Sequence, residues 1–241
     1  MLKPVERKNL SDQVFSQLRD GILNQTYTPG DRLPSERELC DMLKINRSSV
    51  REALKRLEQA RLIEIKHGHG SVVLDFKYTA SFDMLSHIAM QPGEINYISV
   101  RSIIEIRTVL CGESARLAAM RIQKSERDSI QCIVEKIETC PSDDFKLFQI
   151  LDWDFHYALA HASENIALIL IYNSVKEIYF SMPEFFISMF KDAIKSPHLY
   201  RKILQALEIN DPEKAKAYCV ELIETGNKQF MMVYESMLPK E

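Results

Sequence analysis

Two groups of residues in this 241-residue sequence stand at spacings that chemistry can use. The first is Asn46-Arg47-Ser48-Ser49-Val50-Arg51. A helix that opens on Arg and Ser offers free amides and a positive dipole end to phosphate, while an Arg side chain can reach a guanine edge. The second group is Asp152 and His156. Four residues apart on a helix, they share one face, as two ligands of a metal ion or the two halves of a hydrogen-bonded polar pair would.

The elements that must position the first group read clearly. Leu10, Val14, Phe15, Leu18 and Ile22 form a helical stripe over 10–24, with Ser11 or Asp12 as cap. The Thr28-Pro29-Gly30-Asp31 turn ends that segment. Ser35 and Glu38 make a capping box, so a second helix starts at Ser35 and is expected to bury Leu39, Met42 and Leu43. It breaks at Lys44-Ile45. A third helix follows with Asn46 as N-cap; Val50, Ala53, Leu54 and Leu57 share its inner face, leaving Arg47, Ser48, Ser49, Arg51 and Lys55 near the first turn or outside. Leu62 to Lys66 alternates as a strand, His67-Gly68-His69-Gly70 turns, and Ser71 to Leu74 returns. That order is a winged helix-turn-helix.

The elements around the second group are helical. Segments are expected at about 80–90, 95–122, 125–139, 145–163, 166–180, 184–194, 198–209 and 213–237, punctuated by Pro92-Gly93, Pro141, Asn165, Pro183, Pro197 and Asp211-Pro212. The segment from Ile166 to Phe180 is apolar on most sides and is expected to be buried on several of them. The fold class is mainly α, an N-terminal winged helix-turn-helix plus a C-terminal all-α helical bundle. The divisions expected are 1–76 for the winged domain, 77–80 for a short linker, and 81–241 for an all-helical effector-binding and dimerisation domain.

Composition bounds the rest. The chain is 46% hydrophobic and 27% charged with only 7 glycines, which favours a soluble helical protein. Its net charge of −3 divides unevenly: residues 1–75 carry +2 and residues 76–241 carry −5. The 5 cysteines are scattered, with no Cys-x-x-Cys pair, so neither a disulfide framework nor a zinc finger is indicated and a reducing cytoplasm fits. The N-terminal segment lacks a signal-peptide core, and the apolar run 167–172 is too short to span a bilayer. Cytoplasmic localisation without a membrane partner is the expectation.

Leu33-Pro34-Ser35-Glu36-Arg37-Glu38-Leu39, then Arg47-Ser48-Ser49-Val50-Arg51-Glu52-Ala53-Leu54, then the Gly68-x-Gly70 wing, resemble the DNA-binding domain of the GntR family over roughly residues 10–75. The resemblance implies DNA contacts by Arg37, Asn46, Arg47, Ser48, Ser49 and Arg51, and by His67, Gly68 and His69 at the wing tip. Members commonly have Gly after the recognition helix. Here Gln59-Ala60-Arg61 fills that turn, so a non-glycine must carry a left-handed cap or the helix must end differently.

Residues 80–235 resemble, more loosely, the FCD-type effector domain of the FadR-like subgroup. The residues that carry this are Arg101-x-x-x-Glu105-x-Arg107, Ala115 to Ala119, Asp152-x-x-Phe155-His156-x-x-Leu159-x-x-Ala162-x-x-Asn165, and Ile203-Leu204-x-Ala206-Leu207-x-x-x-Asp211. Many such domains hold a divalent metal on an Asp, a His four residues on, and two later histidines. Asp152 and His156 match the first two, but Tyr200 and Leu222 stand at the others, and His198 is two residues off register. The site is incomplete, so no cofactor is certain, and a divalent metal on Asp152 and His156 stands as an alternative to a hydrogen-bonded polar pair.

The resemblance implies an effector site on Arg101, Arg107, Asp152, His156 and Tyr200. Its ligand would be a small carboxylate engaged by Arg101 or Arg107, or an acyl-CoA in a tunnel lined by Tyr172, Tyr179, Phe180, Phe185, Phe186, Tyr218 and Phe230. The function implied is a transcriptional regulator, a repressor, binding a palindromic double-stranded operator as a homodimer under control of a small metabolite. Two alternatives are a metal-dependent enzyme on Asp152, His156 and His198, and a regulator whose C-terminal domain only dimerises.

Overall fold

The computed structural model describes residues 10–66, 68, 70–89, 94–181 and 196–237. They fall into two compact units, Met1–Ser99 and Val100–Glu241.

In the first unit α1 (Leu10–Leu23) buries Val14, Phe15, Leu18, Ile22 and Leu23. Ser11 and Asp12 lie within the helix, and Asp12 pairs with Arg56, whose guanidinium sits 4.4 Å over the Phe15 ring. α2 (Glu36–Leu43) starts on the capping box: the Ser35 amide donates to Glu38 at 2.7 Å and the Glu38 amide to Ser35 Oγ at 3.3 Å. The Ser35 hydroxyl and amide hold the Glu38 carboxyl below its ordinary value. Leu39 is buried and Leu43 half-buried, but Met42 is 65% exposed. In this eight-residue helix Met42 lies three residues from Leu39, yet the chain leaves the helix at Lys44 (φ 54°) before anything covers it.

α3 (Arg47–Gln59) is capped by the Asn46 side chain, which accepts from the Ser49 amide at 2.9 Å, and it buries Val50, Ala53, Leu54 and Leu57. It ends with the left-handed residue that a missing glycine would otherwise supply. Arg61 takes φ 56°, its amide donates to Glu58, and the Leu62 amide reaches back to the Leu57 carbonyl at 3.0 Å. That is a Schellman closure, with Leu57 and Leu62 both fully buried against it.

The wing pairs β1 (Ile63–Lys66) with β2 (Gly70–Val73), antiparallel, Ile63 opposite Val73. The segment after the Thr28–Asp31 turn adds a third line of hydrogen bonds: the Val73 amide donates to Asp31, the Leu33 amide to Ser71, and Arg32 bridges Val72. Thus β2 is the middle line and β1 the outer one. On that outer edge the Ile65 amide donates to the Glu58 carboxylate at 3.0 Å, and Lys66 pairs with Glu64 at 3.2 Å. Two short helices follow, α4 (Phe76–Thr79) and α5 (Leu85–Ala89), and Phe76 and Met84 join the core of this unit.

The second unit holds most of α6 (Glu94–Arg121), then α7 (Lys124–Glu138), α8 (Phe145–Ala162), α9 (Ile166–Ser181), α10 (Pro197–Glu208) and α11 (Pro212–Met237). These match the expected segments closely; the one at 184–194 lies outside the described residues. α8 is buried on several sides, through Phe148, Leu151, Trp153, Phe155 and Leu159. α9 is less enclosed than its composition suggests: Leu168, Tyr172 and Tyr179 are buried, while Ile166 and Leu170, one turn apart, are 67% and 56% exposed on an outward stripe. α6 and α11 approach closely, since a Cβ on Gly112 would lie 2.8 Å from Val220 Cγ2. Among the described residues no helix is long and apolar enough to cross a membrane.

Candidate functional site

On the first unit, the N-terminal turn of α3 points a polar, cationic surface outward. Arg47 and Ser48 are exposed, Ser49 is half-buried, and Ser48 Oγ donates to Asn46 Oδ1 at 2.6 Å, which fixes the turn that opens the helix. Arg51, also exposed, is held by Glu36 of α2 through Nε at 2.7 Å. Arg37 is solvent-facing and stands 4.0 Å from Asp41. Gly68, at φ 76°, provides the positive φ of the wing turn; His67 and His69 lie outside the described residues. The described side chains expected to meet DNA therefore stand on the start of α3 and on its partner helix α2.

In the second unit the structure assembles a buried polar cluster from five helices. Asp152 on α8 is its centre. Tyr200 on α10 donates to Asp152 Oδ1 at 2.6 Å and Tyr179 on α9 to Oδ2 at 2.6 Å. Arg107 on α6 places Nη2 3.5 Å from Oδ2. Its Nη1 reaches Asn227 Oδ1 on α11 at 3.5 Å, and Asn227 donates to Thr108 Oγ1 at 3.0 Å. Burial by itself would raise the Asp152 carboxyl, but His156, Arg107 and the Tyr179 hydroxyl hold it well below the ordinary carboxylate range. Burial also pushes the Tyr179 and Tyr200 phenols up, and the Asp152 charge beside them adds to it, so both remain donors.

His156 lies one turn beyond Asp152, its Nε2 3.4 Å from Asp152 Oδ1 without hydrogen-bond geometry. Burial works against its protonation, yet Cys111 and Asp152 beside it raise its affinity for a proton above the ordinary imidazole value. Among the described residues, three buried side-chain polar atoms lack a hydrogen-bond partner: both ring nitrogens of His156, and Ser114 Oγ on α6. All three belong to this neighbourhood, where the Cys111 thiol lies 3.3 Å from the Tyr172 hydroxyl. Buried polar atoms are nearly always satisfied, so these atoms are the ones in the described unit that a further hydrogen-bonding group could engage.

Of the expected effector residues, Arg107, Asp152, His156 and Tyr200 meet here. Arg101 does not; it lies on the outside of α6, paired with Glu105 at 2.8 Å. The expected aromatic lining divides as well. Tyr172, Tyr179 and Phe180 surround Trp153 at ring distances of 5.9, 5.1 and 5.6 Å, whereas Tyr218 is half-buried under Lys202. Phe185 and Phe186 are outside the described residues, and nothing is described for the Phe230 side chain. Sequence reasoning missed Cys111, Ser114 and Asn227, and gave Tyr179 only an apolar role. Nothing in their local spacing announces them, because each joins the cluster from a different helix or turn.

A divalent metal does not fit these residues. Both Asp152 oxygens accept from tyrosines, and the Arg107 cation stands where a second cation would be repelled. His198 is exposed, and Leu222 is buried with nothing to donate. Among the described residues no three His, Cys, Asp or Glu side chains are placed to hold one ion.

Residues 10–73 match the model for bacterial regulatory proteins of the gntR family, and residues 102–225 match that for the FCD domain. The chain is 32% identical over 240 residues to the HTH-type transcriptional regulator Mce2R of Mycobacterium tuberculosis, covering 100% of this chain and 99% of that protein. It is 27% identical over 169 residues to a fatty acid metabolism regulator protein of Serratia proteamaculans, covering 70% and 69%. A solved structure described by the words "Lar controls the expression of the Listeria monocytogenes agr system and mediates virulence" shares the fold at a TM-score of 0.56 and 18% identity, over 95% of this chain and 100% of that one.

Proposed function

Because this chain belongs to the gntR family of bacterial regulatory proteins and carries an FCD domain, a transcriptional regulator and not an enzyme, we propose that it is a repressor released from DNA by a small anionic metabolite. The reading has residues 1–76 as the DNA reader, 77–80 as linker, and 81–241 as the sensing and dimerising part, acting in the cytoplasm. A homodimer on a palindromic operator follows from the shortness of one recognition helix, which spans only a half-site. Arg37, Asn46, Arg47, Ser48, Ser49 and Arg51, with the wing tip at His67, Gly68 and His69, would meet the duplex.

The observation that carries the effector reading is the unpartnered, buried imidazole of His156, which shares Asp152 with the Arg107 guanidinium. Arg107 brings a buried guanidinium to the cluster and His156 two ring nitrogens without a partner, the donors that an anionic group would meet. A carboxylate would take a hydrogen bond from His156 and meet the guanidinium of Arg107 without a metal. The carboxylate end of a longer acyl compound would satisfy the same donors, and the Trp153 aromatic group provides apolar surface next to them.

The test is thermal unfolding of the whole protein across a panel of small carboxylates and acyl-CoAs, paired with operator binding. An effector raises the unfolding temperature and weakens DNA binding by a comparable coupling, since it must bind the two states unequally. If no member of the panel stabilises the protein, the sensing role fails and a purely dimerising unit remains.

A further inference from the structure

The cations around the start of α3 are not equivalent. Among the described residues, the side chains of Arg47 and Lys55 are exposed and make no hydrogen bond or ion pair, and Arg37 stands 4.0 Å from Asp41. Arg51 differs: its Nε donates to Glu36 Oε2 at 2.7 Å, reaching from α3 to the first residue of α2. The Arg51 side chain is nonetheless 62% exposed, and its two terminal nitrogens have no partner among the described residues. Glu36 therefore holds the guanidinium at Nε and leaves the parallel N–H donors of Nη1 and Nη2 unused.

We infer that Glu36 is a positioning residue that commits Arg51 to a guanine, so that Arg51 carries sequence discrimination while the unrestrained Arg47 carries attraction to phosphate. The inference rests on the reading of α3 as the helix that meets the duplex. A guanine presents O6 and N7 side by side in the major groove, and the two terminal nitrogens of a guanidinium match that pair. Nε is not needed for that contact, so the bond to Glu36 survives it. A guanidinium already fixed in one orientation loses less freedom on meeting a base than a swinging one. Charge works in the same direction. The Glu36 carboxylate offsets part of the attraction of Arg51 for the backbone and repels a phosphate that approaches the pair, which lowers affinity for DNA of arbitrary sequence. A base edge carries no net charge and meets no such repulsion. Arg47, one turn earlier on α3 and without a carboxylate on it, is suited to a phosphate.

The experiment selects duplexes from a pool of random sequence with the full wild-type chain. It then measures the affinity of wild type and variants for the selected duplex and for random duplex at one salt concentration. Glu36→Ala is expected to bind random duplex as tightly as wild type or more tightly, while its preference for the selected duplex falls on the order of 10-fold. Glu36→Gln keeps an oxygen to accept from Nε without the charge, and is expected to hold most of the preference. Glu36→Asp keeps the charge on a side chain one methylene shorter, and is expected to lose preference with random binding unchanged. Wild-type preference in Glu36→Ala overturns the inference, and so does a Glu36→Gln protein that loses as much as Glu36→Ala. A parallel loss on both duplexes by a variant that still unfolds cooperatively marks a merely structural role and overturns it too. Where Glu36→Ala does not fold, Glu36→Asp decides, and wild-type preference in that variant overturns the inference. If wild type selects no sequence from the pool, the assignment of α3 as the reading helix fails and this inference with it. If wild type selects a sequence and Glu36→Ala discriminates equally well, only the positioning role fails.

Discussion

Tyr200 donates its hydroxyl to Asp152 Oδ1 at 2.6 Å, across 48 residues of chain, from the position where the family pattern leads one to expect a histidine. A phenol at that place supplies a hydrogen-bond donor to the carboxylate instead of a second lone pair to a metal. Tyr200→Phe removes the donor while keeping the ring edge-on to Phe155 at 4.9 Å. The expected loss is about 1.5–3 kcal/mol, the scale for a hydrogen bond to a charged group, read as a lower urea midpoint. An unchanged midpoint would count against the role given to this bond.

Metal independence follows from the same bond and from Arg107. Chelator treatment should change neither the unfolding temperature nor operator affinity, and elemental analysis of the purified protein should find no stoichiometric divalent ion. Release of one ion per chain with a fall in stability would reverse the conclusion drawn from the Asp152 environment.

Asp152 also makes stability depend on pH in a definite direction. Its carboxyl is depressed in the folded protein, so its contribution is complete above the ordinary value of 3.8 and is lost as pH falls below that toward the folded value. Asp152→Asn removes this acid limb. At neutral pH it also leaves Arg107 buried without its counter-charge, at a cost of about 3–5 kcal/mol. Unfolding free energies of both proteins between acid and neutral pH check the sign; an equally steep acid limb in the variant would assign it to other carboxylates.

On the DNA-reading unit, Arg47→Ala and Arg51→Ala are each predicted to weaken operator binding by about 1–3 kcal/mol, with the fold intact, because each has an exposed guanidinium at the start of α3. If only phosphate contact is lost, affinity falls on all sequences and the salt dependence shallows; if base contact is lost, discrimination between operator and random DNA falls too. Wild-type affinity in both variants would sink the assignment of α3 as the reading helix.

Arg61→Gly is predicted to stabilise the protein by about 1 kcal/mol, because a left-handed residue with a Cβ is strained where glycine is not. A higher thermal midpoint with unchanged DNA affinity is the expected result. A lower midpoint would mean that the Arg61 side chain contributes more than its backbone costs.

Much of this fold was legible because local rules govern it. The Ser35–Glu38 box, the Asn46 cap and the proline and glycine punctuation each act within a few residues, so the helix boundaries could be read from them. Arg61 was anticipated as a problem of the turn after α3, and the structure resolves it by the left-handed option. Met42 was misjudged because periodicity tells which residues share a face, not whether another element arrives to cover it. The pairing of Asp31 to Leu33 with β2 escaped notice because three residues carry no period. In the polar cluster, Asp152 and His156 were visible as neighbours on one helix; Cys111, Tyr179, Tyr200 and Asn227 converge on them from four other helices, which only tertiary packing determines.

The outer strand of the wing has a further consequence. An unpaired strand edge invites a second strand from any chain that meets it. Here Glu58 takes the outward Ile65 amide, while Glu64 and Lys66 place opposite charges along the same strand. An occupied amide and two opposite charges on so short a strand disfavour the addition of another strand along this edge.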